Sequence, residues 1–583
     1  MGSTSTVYIT DSSVAVEDDT VTNLSIQDVL EETSEEEYDE FMQTMRTAGV
    51  PTGTTFPLFD IFWKELVLPG DTSGSLVELY FVYRAVNNSL TDDIDEIVCN
   101  LSHQKYHRPV LDAAAPDGIP VVGPDGDPIT LHTHRQVFAT MLSIITTTIV
   151  LLVDMLLAMV VSLFSSMDTD ISENPLFVFF PYPGRFESTK SVVNTANFQY
   201  LIALPSLVAG RLLSRRLTDY PFDKTPLLCA SLRSLTAPFG VCHVAGGLLK
   251  ELFGKLRGQD ALVQHLSDEA DASIPRSVRY AWIVGFRGKS RGLLTAKITE
   301  TIYTRWDVKG VLVSGNSPRD RAFLYVARSH GVQTYYLPHS VLHSVRNIYT
   351  HHPETTMFLE GEFSVEYLKA NRPSETLPDL VGLGRPYFET LLDYRQTGGG
   401  TSDEIVTITL ATQDQPDRMR EALARTVLLA IAEGIAAETA VRVIVKIHPN
   451  ESPALYEQLQ SDLSLDAIDD IEIRNRNLYS TLQQSDLIVT VNSNVGIESM
   501  IVGTPCACVV LFDPWMPVYP YARHESVPVN RTKDATFAFF QQLTPEELVD
   551  LQAEQRNYVS NSYVLEPDIG ESIAEYIADD CCS

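Results

Sequence analysis

Residues 441–449, VRVIVKIHP, and residues 487–505, LIVTVNSNVGIESMIVGTP, decide the fold. The first stretch opens as an apolar strand over 441–445, interrupted only by Arg442, the pattern of a buried strand. It ends in Lys446, His448 and Pro449. The second repeats the design: an apolar strand over 487–491, a polar Asn492-Ser493-Asn494 step, then a helix carrying Glu498. Gly503-Thr504-Pro505 stops that helix, and a third apolar strand is expected over 506–511. Strands alternating with helices predict a parallel α/β sheet. Successive strand-to-helix crossings bring their polar ends to one sheet edge, where such folds bind ligands. A cation, an imidazole and a helix N-terminus gathered there suit an anion such as a nucleotide diphosphate.

The motif order is Lys446-Ile447-His448-Pro449, then Ser493-x-x-Gly496-x-Glu498 ahead of Gly503-x-Pro505. It resembles the C-terminal domain of GT-B glycosyltransferases, and among them the capsule-polysaccharide, polysialyltransferase and teichoic-acid (CDP-glycerol glycerophosphotransferase-like) enzymes. The resemblance runs from Val311 to the C-terminus. Its tail, Arg556-Asn557-Tyr558 followed by Asp568-Ile569-Gly570-Glu571-Ser572, is similar to the family's Arg…Asp-Gly…Ser run, with Ile569 interrupting the Asp-Gly pair. The resemblance implies two Rossmann-like lobes facing a cleft, with the nucleotide donor on the C-terminal lobe. It implies transfer of a sugar (or polyol phosphate) from a CMP/CDP- or UDP-linked donor to a surface polysaccharide or lipid-linked glycan. It further implies no cofactor and no metal, because side chains and helix dipoles assist the leaving phosphate.

On that resemblance Lys446, His448, Pro449, Ser493 and Asn494 hold the donor phosphates and Glu498 takes the ribose hydroxyls. Thr412 and Gln413, at the end of a strand over 405–410, line the nucleotide. His339 is the expected base: Leu337-Pro338-His339-Ser340 stands where the family often has Gln-His-Gly or Trp-His-Gly. Pro338 and Ser340 depart from that pattern, and His343 competes for the role. Arg185 and Glu187 are expected to bind acceptor, or to supply the base, against the plainer reading of a surface ion pair. Plainer readings stand beside the others too. Lys446 can pair with a carboxylate such as Glu451, Ser493 and Asn494 can simply cap a helix, and Glu498 can serve the helix dipole. His351 and His352 are adjacent in an extended segment and point opposite ways, so they form no metal pair.

Two rival functions remain open. A sugar-nucleotide 2-epimerase of the same fold needs several carboxylates in its cleft, for which Glu187 and Asp320 are the candidates. A non-catalytic, membrane-associated assembly protein with a decayed transferase site would explain the altered Pro338-His339-Ser340 element.

The chain's 583 residues exceed one ordinary domain. With 44% hydrophobic and 20% charged residues it has a globular composition. Against 43 basic residues stand 76 acidic ones, and the net charge of −33 repels a phosphate backbone, excluding nucleic acid as partner. The scarcity of Lys and the wealth of Asp and Glu fit a salt-adapted, halophilic host. Seven cysteines without a CxxC pair exclude a zinc or disulfide framework. The first residues show neither a basic start nor an apolar run, so no secretory signal is expected. The expected location is the cytoplasm, free or attached to the inner face of the cell membrane.

Four sections are expected: an acidic α/β section over 1–134, a hydrophobic helical insertion over 135–170, a Rossmann-like acceptor lobe over 171–395, and a donor lobe over 396–583. Within the insertion, 141–164 is long and apolar enough to span a bilayer, but Asp154 lies near its middle. Two arrangements answer this: a hairpin bent around Asp154 at the membrane surface, or one buried in the core or a dimer interface. The acidic stretch 17–45 is expected to be helical or loosely ordered. Strands are expected at 7–10, 96–99, 119–122, 176–180, 280–284, 310–313 and 332–337, and helices at 75–87 and 319–330. Glycines in 384–386 and 397–401 are expected to form a flexible hinge.

Overall fold

The computed structural model describes residues 5–10, 21–25, 76–90, 94–101, 110–129 (without 112 and 115–117), positions 141, 142, 145, 146, 148 and 149, 176–180, 187–195, 200–203, 227–228, positions 246, 300 and 303, 307–338 (without 316–317), 341, 355–371, 377–395, 405–413, 417–435, 440–449, 451–491 (without 464, 466–467 and 469), 493–511 and 519–582. The chain divides into two compact units, Met1–Pro183 with Phe198–Thr334, and Gly184–Asn197 with Tyr335–Ser583.

The first unit opens with β1 (Ser5–Thr10), β2 (Val21–Ser25), α1 (Leu76–Ser89), β3 (Ile94–Asn100) and β4 (Val121–Val122). The strands are all parallel, in the order β2-β1-β3-β4. Val7, Ile9, Ile97 and Cys99 alternate into the core as a period of two requires. Strand β2 corrects the helical or loose reading of this acidic stretch. Its Val21-Thr22 pair is β-branched, and an edge position leaves Thr22 and Asn23 in water, so local acidity does not forbid a strand. Next along the chain come β5 (Leu176–Phe180), α2 (Glu187–Thr195, a part of the second unit), β6 (Tyr200–Ala203), β7 (Leu227–Leu228), β8 (Val308–Val313), α3 (Pro318–Ser329) and β9 (Gln333–Tyr336). Parallel pairing joins β5 to β8 and β6, and β6 to β7.

Of the apolar stretch 141–164, the described positions at 141–149 are helical, with Leu142, Ile145 and Ile149 exposed. No helix among the described residues is long and apolar enough to cross a membrane. Residues 151–164 lie outside the described residues, as do the strand expected at 280–284 and the glycines of 397–401.

The second unit contains α2 and then β10 (Thr355–Phe358), α4 (Glu362–Asn371), β11 (Asp379–Val381) and α5 (Pro386–Leu392). Gly384-Arg385-Pro386 is a packed turn and not a flexible link. Gly384 has φ +96°, its N–H donates to the Leu359 carbonyl at 2.8 Å, and Ile569 and Val564 press on its missing Cβ. Arg385 is 1% exposed and stands at the N-cap position of α5 in extended backbone, with Pro386 as the first helical residue. Ile569, the insertion in the tail motif, is therefore the side chain that packs against this turn.

The rest of the unit is β12 (Ile405–Ala411), α6 (Asp417–Gly434), β13 (Ala440–Lys446), α7 (Ala454–Asp462), β14 (Asp470–Arg474), α8 (Leu478–Gln484), β15 (Leu487–Thr490), α9 (Asn494–Val502), β16 (Cys506–Val509), β17 (Val529–Asn530), α10 (Lys533–Gln542), α11 (Pro545–Ser562) and α12 (Ile569–Cys582). All six strands are parallel, ordered β14-β13-β12-β15-β16-β17, which is the doubly wound order of nucleotide-binding sheets. Val406, Ile408, Leu410, Val443, Val445, Leu487, Val489 and Val509 form one buried face with Leu423, Val427 and Ile431 of α6. Helix α6 packs on α7 and α10, while α9 packs on α8, α11 and α5. Edge strand β14 carries charge that discourages further pairing, with Arg442 reaching Glu472 at 2.6 Å and Arg474 reaching it at 2.7 Å.

Candidate functional site

β12 and β15 are neighbours, yet the chain leaves β12 toward β13 and leaves β15 toward β16. The crevice at their carboxyl ends is the topological switch point of the sheet, the usual ligand position in such folds. There the Thr490 hydroxyl donates to the Ala411 carbonyl at 3.2 Å, tying the two strand ends together. Ala411 is also the register partner of Lys446 on β13. Thr412 and Gln413, Lys446 to Pro449, and Ser493 with Asn494 thus all follow adjacent strand ends and share one edge.

Lys446 is 7% exposed, and its Nζ donates to the Ile447 carbonyl at 3.1 Å. Burial pulls its pKa below the usual lysine value, and the Arg474 charge adds to that, while Glu451 opposes it. His448 is half-buried and Pro449 exposed. The His448 N–H donates to Thr412 Oγ1 at 3.2 Å, and the Thr412 N–H donates to the Lys446 carbonyl at 3.0 Å. One threonine therefore locks the end of β12 to the end of β13.

Beneath this lies Glu451, whose side chain is fully buried. Its Oε2 accepts from Thr412 Oγ1 at 2.7 Å and from the Tyr456 hydroxyl at 2.7 Å, with Arg420 Nη1 at 3.8 Å. Burial raises the Tyr456 pKa, so that hydroxyl stays a donor. Neither Glu451 nor Tyr456 was marked by a motif. The only sequence signal is a carboxylate shortly after the Lys446-x-His448-Pro449 turn, and a plain salt bridge to Lys446 explains it equally well.

Ser493 caps α9, its hydroxyl accepting from the Val495 N–H at 3.4 Å. Asn494 Oδ1 is buried and has no hydrogen-bond partner among the described residues. The Ser493 carbonyl accepts from the Tyr521 hydroxyl at 2.7 Å. Tyr521, in the 3-10 turn Pro520–Arg523, is a second site neighbour that no motif announces. Glu498 is 8% exposed, and its charge helps, after burial, to raise the pKa of Tyr387 on α5. The expected ribose acceptor is therefore a buried carboxylate on the side of α9 that meets α5.

The remaining expected residues lie elsewhere. His339, His343 and Arg185 fall outside the described residues, and Glu187 is the first residue of α2. Pro338, which precedes His339, is held by Arg385, whose Nη1 donates to its carbonyl. Arg385 pairs in turn with Glu360 at 3.3 Å, both 1% exposed.

No family model matches this chain, and no curated protein matches it. Among solved structures it is similar to the UDP-GlcNAc 2-epimerase of Neisseria meningitidis bound to UDP-GlcNAc, at 12% identity, covering 70% of this chain and 99% of that one, with TM-score 0.39. The UDP-GlcNAc 2-epimerase of Methanocaldococcus jannaschii gives 12%, 70% and 99%, with TM-score 0.41. The wall teichoic acid polymerase TagF, soaked with CDPG, gives 10%, 72% and 91%, with TM-score 0.37. With every one of these TM-scores below 0.5, the functional reading rests on the geometry of the site itself.

Proposed function

We propose that this chain is a GT-B enzyme that binds a nucleotide-activated sugar on its six-stranded sheet and transfers the sugar, or a polyol phosphate, to a surface polysaccharide or lipid-linked glycan. The observation that carries the reading is the switch point of that sheet. A buried lysine, a half-buried histidine and the N-terminus of α9 follow adjacent strand ends there. Each group favours negative charge, and a diphosphate is the ligand that uses all of them at once.

In this reading Lys446 and the positive end of the α9 dipole stabilise charge as it grows on the departing phosphate. His448 hydrogen-bonds a phosphate oxygen, and the Asn494 amide is available to a ribose or phosphate group. Glu498 lies one turn further along α9. A base must take the acceptor hydroxyl proton, and an imidazole suits this near neutrality. His339 is that base, next in sequence to the Pro338 carbonyl that Arg385 secures.

The test is product analysis by NMR with CDP-, CMP- and UDP-linked donors, with and without a glycan acceptor. Transfer that needs the acceptor and is lost in His448→Ala supports the reading. An epimerised nucleotide sugar formed without acceptor would replace it with the epimerase reading.

A further inference from the structure

We propose that Glu451 is a positioning residue of the donor site, which fixes the direction of the Thr412 hydroxyl and through it the backbone of His448. The inference rests on the donor-site reading above and adds to it a residue that touches no ligand.

A threonine hydroxyl has one proton to give and two lone pairs to offer. A carboxylate only accepts, so the 2.7 Å contact to Glu451 Oε2 commits the Thr412 proton to Glu451. The lone pairs are then left for the His448 N–H at 3.2 Å. The competing acceptor, the Lys446 carbonyl, stands at 3.5 Å and does not capture the proton. Glu451 also acts through its own backbone, since its N–H donates to the His448 carbonyl at 2.9 Å. Both peptide groups of His448 are thus held by one residue, one directly and one through Thr412.

Glu451 is itself anchored. The Tyr456 hydroxyl from α7 donates to the same oxygen, and Arg420 from α6 brings positive charge to 3.8 Å. A fully buried carboxylate with two short hydrogen bonds has one orientation, unlike an exposed ion pair that samples many. A group that only neutralised Lys446 would need no contact with Thr412.

The variants are Glu451→Leu, Thr412→Val and Thr412→Ser in the full chain, read by hydrogen exchange at the His448 amide and by calorimetric titration with CDP and UDP. Leucine fills much of the volume of Glu451 but accepts no hydrogen bond, so the Thr412 hydroxyl is free to turn around. We expect Glu451→Leu and Thr412→Val each to speed His448 exchange and weaken nucleotide binding about tenfold or more. Thr412→Ser, which keeps the hydroxyl, should stay within about threefold of wild type on both readouts. Should Glu451→Leu fail to fold, Tyr456→Phe removes the second donor to the same oxygen and must speed the same exchange. Unchanged His448 exchange in Glu451→Leu, or in Tyr456→Phe used in its place, overturns the proposal. So does a Thr412→Ser variant as damaged as Thr412→Val, since packing would then explain the loss. A wild-type chain that binds neither nucleotide overturns the donor-site reading itself. Wild-type binding with an indifferent Glu451→Leu removes only the positioning role.

Discussion

The Tyr521 hydroxyl donates to the Ser493 carbonyl at 2.7 Å, so the turn after β16 fastens the residue that caps α9. This closeness is allowed by Gly496, where a Cβ would stand 2.2 Å from the Tyr521 oxygen. Gly496→Ala therefore forces the ring or the helix start aside, and should cost about 2–3 kcal/mol, more than the hydrogen bond alone. Tyr521→Phe, which loses only the hydrogen bond, should cost about 1 kcal/mol. Urea unfolding of the two variants measures both, and equal costs would contradict the steric account.

On the proposed donor-site reading, Lys446 gives up stability for binding. Its charge is buried, and among the described residues the Ile447 carbonyl is its one close acceptor, so Lys446→Met should stabilise the free chain by about 1 kcal/mol while weakening nucleotide binding. The pH dependence follows from its lowered pKa. Below the folded pKa the native chain carries a buried charge that the unfolded chain solvates freely. As pH rises through the folded pKa toward the ordinary lysine value, the native chain sheds that charge first and wild-type stability rises. The gap between Lys446→Met and wild type should narrow across that window, and nucleotide affinity should fall over the same range. Denaturation curves at neutral and strongly alkaline pH decide it; a constant gap would refute the cause assigned here.

Gln555 substitutes for a strand. Its amide accepts from the Cys506 N–H at 2.8 Å and donates to the Cys506 and Ser526 carbonyls, both at 2.8 Å, where the short β17 offers no ladder. Gln555→Leu would leave three buried backbone groups unmatched, at a cost of about 3 kcal/mol. A loss under 1 kcal/mol in thermal or urea unfolding would mean that water replaces the amide.

Arg385→Met should be more damaging, at about 3–5 kcal/mol, because it strips the buried Glu360 of its guanidinium and releases the Pro338 carbonyl. The double variant Arg385→Met with Glu360→Gln should recover part of that stability without recovering activity, if the Pro338 contact serves His339. Activity that returns together with stability would limit the pair to a structural role.

The C-terminal sheet is legible because β12, β13, β15 and β16 are rich in Val, Ile and Leu or small apolar residues and β13 and β15 end in recognisable punctuation: Lys446-x-His448-Pro449, and Ser493 as a cap ahead of Gly503-x-Pro505. β10 and β11 are not: TTMF and DLV are as short as β15 or shorter, and lack the apolar run and the motif that mark it. Gly384 beside Pro386 reads as a break in sequence, and only the packing of Ile569 and Val564 shows it to be a tight turn. In the site, the strand-end residues carry their own signal. Glu451, Tyr456 and Tyr521 do not, because their roles depend on contacts with Thr412 and Ser493 that lie far away in sequence.

The most direct test of the donor site is thermal stabilisation in concentrated salt by CMP, CDP, UDP and GDP, on wild type and His448→Ala. The account predicts a clear rise in Tm with one nucleoside diphosphate class, lost in the variant whose own Tm is unchanged. No rise with any nucleotide, or an equal rise in His448→Ala, would contradict it.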